Sequence, residues 1–238
     1  MARRALFVSF VMLLFVWPFQ TNGEAQKEAP VVKIPDAGVP QVSTIEGKFV
    51  RGSYNREGYV ILGYQASNRS IGEPWLLLEV GITVLDNVPD YRLTRAAISL
   101  DTPDGKTIPL PTTEEFRKGN QTAIQSIQQR ARVQRDSINY FPVKASRACA
   151  ILFFPELGSR ALPFDEVDLS DDRACLGRLY FNIPGGIAYG QHWLNVKFQN
   201  SVVRVPFRIL TNDEEKLLSK NYKSIERQVK EAFAPKKK

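Results

Sequence analysis

Histidine and cysteine are scarce in this chain, with one His and two Cys among 238 residues. A single histidine, His192, cannot build a multi-histidine metal centre. Cys149 and Cys175 lie 26 positions apart. That spacing excludes the C-x-x-C pattern of a thioredoxin-type redox pair and offers no zinc-ligand pattern. The nucleophile-elbow pattern G-x-S-x-G is missing, so His192 has no recognisable catalytic partner and reads as a satisfied structural histidine. The glycine-rich stretch NIPGGIAYGQ (182–191) follows neither nucleotide fingerprint and reads as a strand connection. No apolar run reaches the ~20 residues that a membrane-spanning helix needs. The longest, ALFVSFVMLLFVW, covers residues 5–17.

That run has a different use. Arg3 and Arg4 precede it, Pro18 stops it, and TNGEA supplies small residues for processing. Residues 1–25 therefore read as a secretory signal peptide, cleaved after Gly23 or Ala25. No membrane span is expected once it is removed. An exported chain sits in an oxidising compartment, where two cysteines favour a disulfide. A Cys149–Cys175 bridge would contribute roughly 3–4 kcal/mol in the chain-entropy picture. The alternative is two buried thiols acting as small apolar groups. Residues 26–44 hold three prolines and little periodicity, which predicts a flexible arm.

From residue 45 to 210 the pattern is dominated by strands. In WLLLEVGITVL (75–85), Leu76, Leu78, Val80, Ile82 and Val84 share one face. YVILGYQ (59–65) is apolar on both parities and suits a central strand. AAISLDTPDGKTIPL (96–110) sets two short strands around Pro103-Asp104-Gly105, a turn signal. HWLNVKF (192–198) and VVRVPFRI (202–209) alternate around Gln199-Asn200-Ser201, predicting a closing hairpin, with Pro206 at an edge or bulge. CAILFF (149–154) and CLGRLYFNI (175–183) begin with the two cysteines, both on faces that read as buried.

Two segments break the alternation. TEEFRKGNQTAIQSIQQRARVQRDS (113–137) is Gln-rich and carries Ile124, Ile127 and Ala131 at helical spacing. It predicts a helical insertion on a sheet edge, capped by Thr112 or Thr113 and interrupted at Gly119-Asn120. Residues 211–238 predict an amphipathic helix with a lysine tail. Its apolar stripe of Leu218, Tyr222, Ile225 and Val229 is a candidate interaction surface, with docking on the sheets as the competing use. The acidic run DEVDLSDD (165–172) offers oxygen ligands for Ca²⁺, but lacks the spacing and turn glycine of a Ca²⁺-binding loop. A solvated loop is the competing reading. Arg130, Arg132 and Arg135 lack interleaved aromatics, which argues against nucleic acid and leaves open contact with an anionic surface. Asn68-Arg69-Ser70 and Asn120-Gln121-Thr122 match the glycosylation acceptor pattern.

The combination of TPDGKTIPL with RLYFNIPGGIAYGQHWLNVKF resembles small immunoglobulin-like domains of secreted bacterial proteins and lipoproteins. The resemblance spans about residues 58–209 and implies an antiparallel immunoglobulin-like β-sandwich. It carries over no site residues. The expectation is a mainly β, exported, periplasmic or secreted protein without enzymatic activity, which binds an envelope or extracellular component. The rival expectation is a carbohydrate-active or hydrolytic enzyme using dispersed carboxylates, recognisable by two perturbed carboxylates facing each other in a cleft. No cofactor is expected beyond the Ca²⁺ considered at 165–172.

Overall fold

The structure is a computed structural model that describes residues 39–85, 88, 90–155 and 162–233, with the backbone alone at 223 and 225–233. The signal-peptide reading, and all of the 26–44 arm before residue 39, lie outside the described residues. The described chain is mainly β, with antiparallel pairing predominant. In chain order the elements are β1 (Val42–Gly47), β2 (Val50–Tyr54), β3 (Gly58–Gly63), α1 (Gln65–Asn68), β4 (Trp75–Val84), β5 (Tyr91–Thr94), β6 (Ile98–Asp101) and β7 (Thr107–Pro109). Then follow α2 (Thr113–Lys118), α3 (Gln121–Val133), β8 (Arg147–Ile151), β9 (Glu166–Leu169), β10 (Arg173–Asn182), β11 (Gly190–Lys197), β12 (Val202–Ile209) and α4 (Asn212–Phe233).

The strands form a six-stranded sheet in the order β1-β2-β3-β4-β10-β8, a four-stranded sheet β12-β11-β6-β7, and a β5-β9 pair. Leu76, Leu78, Val80 and Ile82 of β4 join Leu194 and Val196 of β11, Val203 and Val205 of β12 and Leu100 of β6 in one buried cluster. The two larger sheets thus share a core through period-two alternation. The turn at Pro103-Asp104-Gly105 closes β6 on β7, with Gly105 at φ +80°, a conformation in which a side chain would be strained. β11 and β12 form the expected closing hairpin, and Pro206 lies in β12 at the sheet edge, where a missing N–H costs no ladder bond.

β4 is buried along all ten residues, so the six-stranded sheet is covered on its other face too. The cover comes from the segment between β7 and β8. Thr112 caps α2, accepting from the Glu115 N–H, while the Glu115 carboxylate accepts from the Thr112 N–H at 2.7 Å. Asn120 caps α3 by accepting from Ala123 N–H. Ile124, Ile127 and Ala131 are buried, and α3 packs on β4 in the sheet interior. This corrects the expectation of a helix on a sheet edge: odd-numbered β4 residues such as Trp75 and Leu77 are themselves apolar and need a cover. Phe116 of α2 packs on Trp75 and Tyr180, and Phe154 completes the aromatic group, with centroids 4.8–5.5 Å apart. Residues 134–146 then run as a strap over the same face. Ile138 and Phe141 pack with Val50, Tyr59, Ile61 and Leu176, and a Cβ on Gly81 would collide with the Phe141 ring.

Cys149 and Cys175 are bridged, and they are register partners on neighbouring strands β8 and β10. That pair runs parallel, an exception to the antiparallel pattern. The chain between the two strands therefore crosses over rather than turning back, and the bridge ties the edge strand to the sheet. The acidic run lies within that crossover. Where its composition suggests either a Ca²⁺ ligand set or a solvated loop, Glu166–Leu169 is strand β9, paired with β5. Two strands at the N-terminal side, β1 and β2, lacked a legible pattern, and β1 takes in residues 42–44 of the stretch read as a flexible arm.

Arg95 holds the crossover and the insertion together. Its side chain is 7 % exposed and donates to the Asp165 carboxylate, to Thr113 Oγ1 at 2.9 Å, and to the carbonyls of Pro111 and Phe153. Its guanidinium also lies 4.7 Å from the Phe154 ring centroid.

Two stability outcomes follow. Replacing both cysteines by alanine should lower unfolding free energy by roughly 3 kcal/mol in urea titrations, and a change below ~0.5 kcal/mol would show that the bridge constrains little. Arg95→Met should cost about 3 kcal/mol, because buried carbonyls lose their donor. Limited proteolysis should then cut first within 152–165, and cleavage elsewhere first would deny Arg95 its role as a clasp.

Candidate functional site

The strap leaves a groove of about 560 Å³ against the outer face of the six-stranded sheet. Its floor comes from β4 and β10, through Glu79, Leu176, Gly177 and Arg178, and its wall from strap residues Arg135–Asn139. Register explains the floor. Glu79 and Arg178 are direct cross-strand partners on the odd face of β4, the geometry in which opposite charges attract across a ladder. Arg178 lies 3.4 Å from Glu79 Oε1, and Arg135 Nε reaches the same oxygen at 3.9 Å. The other oxygen, Oε2, accepts from the Asp136 N–H at 2.8 Å.

Asp136 turns the opposite way, and its Oδ2 accepts from the Gln65 N–H at 2.9 Å. Both carboxylates are buried. Burial pushes the Asp136 carboxyl up to about 6, opposed by the Gln65 N–H and reinforced by the charge of Glu79. Burial raises Glu79 as well, against the pull of the Asp136 N–H and of Arg178. Glu79 therefore lies in the floor and pairs with both arginines, Asp136 is the buried part of the wall, and Arg135, Ser137 and Asn139 are exposed on that wall. The surface a ligand meets is rich in hydrogen-bond donors.

Of these residues only Arg135 stood out in the sequence, as part of the basic cluster. Glu79 interrupts an apolar strand, which was a usable signal: a carboxylate with a fully buried backbone needs a cation, and a parity-matched arginine had to be found for it. Arg135 belonged to the basic cluster, but its distance from Glu79 is set by the strap.

The sites read from the sequence are distributed as follows. Cys149 and Cys175 are brought together. His192 is fully buried, with Nδ1 3.0 Å from Gly190 O and its ring stacked on Phe207 at 5.3 Å. It is not fully satisfied, because Nε2 has no hydrogen-bond partner among the described residues. In the acidic run, Asp165 pairs with Arg95, Glu166 and Asp168 with Arg92, Asp171 with Lys144 and Asp172 with Arg147. Asn68 is buried and accepts from Leu210 N–H at 2.6 Å, so its acceptor pattern is closed to modification in the fold. Asn120 is a helix cap.

In the tail, Leu218 and Tyr222 are half-buried, while the side chains of Ile225 and Val229 lie outside the described residues. α4 begins with Thr211 N–H donating to Glu214 and Glu214 N–H donating to Thr211 Oγ1. Glu215 pairs with Lys48 at 2.8 Å and Arg69 at 2.6 Å, and the Tyr222 hydroxyl donates to Glu46 O. The start of α4 thus docks on the sheet by ion pairs.

A carboxyl whose native pKa is raised favours folding while it is protonated. Asp136 contributes fully below about pH 4, and that contribution is lost as the pH rises through about 6. Asp136→Asn keeps an oxygen for the Gln65 N–H without ionising. The stability of the variant relative to wild type should therefore climb by on the order of 2 kcal/mol between pH 4 and 7. Chemical denaturation across that range measures it, and a flat difference would mean that Asp136 ionises there without penalty.

No protein family matches this chain, and neither a curated protein nor a solved structure matches it at a significant level.

Proposed function

We propose that the chain is an exported immunoglobulin-like β-sandwich binding module that holds an oxygen-rich, acidic saccharide of an envelope or extracellular matrix in the groove beneath the strap. The observation that carries this reading is the pair of arginines, Arg178 and Arg135, both drawn to one buried glutamate at a groove of about 560 Å³. Arg178, held against the Glu79 carboxylate, is set in place before a ligand arrives, which reduces the ordering cost of binding, and Arg135 stands exposed beside it. Ser137 and Asn139 add donors suited to hydroxyls. The formal net charge of +7 falls by two with Arg3 and Arg4, to +5, or to +6 if Glu24 is removed as well, and a positive balance favours approach of an anion. The disulfide belongs to an oxidising compartment and supports export, and no helix among the described residues is long and apolar enough to cross a membrane.

A second reading rests on the two carboxyls themselves. Two raised carboxyls bordering one cleft are the arrangement of an acid-base hydrolase, with Asp136 as proton donor. Binding is preferred because each carboxylate is buried and already accepts an internal backbone N–H, whereas the exposed side chains of the wall are donors.

Calorimetric titration of the full chain with tetragalacturonate should give saturable binding, at least tenfold weaker for uncharged chitotetraose and about tenfold weaker for Arg178→Met. Arg135→Met, at an exposed side chain, provides the same comparison should the first variant not fold. Equal affinity for both saccharides, or no loss in either variant, would remove the proposal. Release of shortened products from tetragalacturonate, abolished by Asp136→Asn, would establish the hydrolase instead.

A further inference from the structure

The groove beneath the strap is lined by two buried carboxyls, and one strap residue links them. The Asp136 N–H serves Glu79 Oε2 at 2.8 Å, while the Asp136 side chain carries the second carboxyl. That side chain lies flat on β3, where a Cβ on Gly63 would collide with it, so β3 offers it no side chain to pair with. Among the described residues its carboxylate accepts one hydrogen bond, from the Gln65 N–H at 2.9 Å. Glu79 is better served, with Arg178 across the ladder and Arg135 beside it. Of these two, Arg178 is largely withdrawn from solvent, with 14 % of its side chain exposed, whereas Arg135 keeps 75 %. The buried part of the cluster therefore sets two carboxyls against one guanidinium.

The charged and titratable groups around Asp136 come from several elements. β4 brings Glu79, β10 brings Arg178, and the strap brings Arg135. Arg51 of β2 pulls on Asp136 through space, but its guanidinium is engaged by the carbonyls of Gly47 and Val50, each at 2.8 Å. Tyr64, which follows β3, is held neutral by burial, with its pKa pushed up to about 12. Burial, supported by the Glu79 charge, pushes the Asp136 carboxyl up to about 6 against the Gln65 N–H and Arg51. An acidic saccharide shifts this balance further. Its carboxylate competes with Glu79 for the arginines and adds a third negative charge to one cluster. Neutralising one of the three costs least at Asp136, which has no guanidinium of its own.

We propose that the groove takes up a proton together with its ligand and that Asp136 receives it, so that an acidic saccharide is held in acid and released as the pH rises. The inference rests on the acidic-saccharide reading of the groove and adds its regulation. Linkage is reciprocal: a ligand that makes Asp136 easier to protonate binds more tightly once Asp136 is protonated. The gain in affinity is fully present below the Asp136 pKa of the free protein, about 6. It is lost as the pH passes through the higher value of the complex.

The test is calorimetric titration of the full chain with tetragalacturonate, whose carboxyls stay ionised from pH 5.5 to 8. At pH 6.5, titrations in two buffers of different ionisation enthalpy should show uptake of about half a proton per site, as a one-unit rise in the Asp136 pKa implies. The affinity should fall roughly sevenfold between pH 5.5 and 8. Asp136→Asn should take up no proton and should hold the saccharide at pH 8 at least as tightly as wild type does at pH 5.5. The two-buffer comparison on wild type decides the coupling even if the variant does not fold. Absence of binding at every pH would remove the saccharide reading, and the coupling with it. Saturable binding without proton uptake, uptake that survives in Asp136→Asn, or affinity that rises with pH would overturn the coupling alone.

Discussion

The burial of Glu79 within β4 governs much of this molecule. A carboxylate on a strand buried on both faces must find cations and donors, or fold in its neutral form. Here it finds Arg178 across the ladder, Arg135 from the strap, and the Asp136 backbone N–H. Those partners lie on β10 and on the segment after α3. Satisfying one side chain therefore fixes the strap over the sheet, and the space left between them is the groove.

The same requirement organises the insertion. The odd face of β4 presents Trp75 and Leu77 at one end and Gly81 at the other. Bulky residues call for a cover of small contour, and α2 and α3 supply it with Phe116, Ile124 and Ile127. The bare glycine instead receives a ring, Phe141. A segment that interrupts the strand pattern thus completes the sheet rather than standing apart from it. Arg95 then locks the start of α2 to the crossover between β8 and β10, exchanging its hydration for carbonyls, a carboxylate and an aromatic face.

Charge in this protein works mostly by local pairing. The acidic run reads as a ligand set when taken alone, but its carboxylates meet Arg92, Arg95, Lys144 and Arg147 from four other places in the chain. The start of α4 docks through Glu215 on Lys48 and Arg69 in the same way. The groove beneath the strap follows the same rule, since its floor is the charged ladder pair of Glu79 and Arg178.

The sequence by itself determined whatever depends on neighbours within a few positions. Period-two alternation placed the inward faces of β4, β11 and β12. The Thr-Pro-Asp-Gly turn set the β6–β7 hairpin, and a threonine cap at 112 or 113 with the 124, 127, 131 spacing set a helical insertion broken at Gly119-Asn120, where the structure makes Asn120 the cap of α3. Two cysteines in a chain read as exported pointed to a bridge, with two buried thiols as the alternative, and the structure bridges them. Tertiary structure alone decided which strands neighbour one another across long gaps. It made β8 run parallel to β10, turned the acidic run into a paired strand, sent α3 to the sheet interior, and buried His192 Nε2 without a partner among the described residues. Glu79, Arg135, Asp136 and Arg178 become one site only when β4, β10 and the strap converge. Local propensity carries no record of such a meeting, because its energy comes from desolvation and pairing between residues that are distant along the chain.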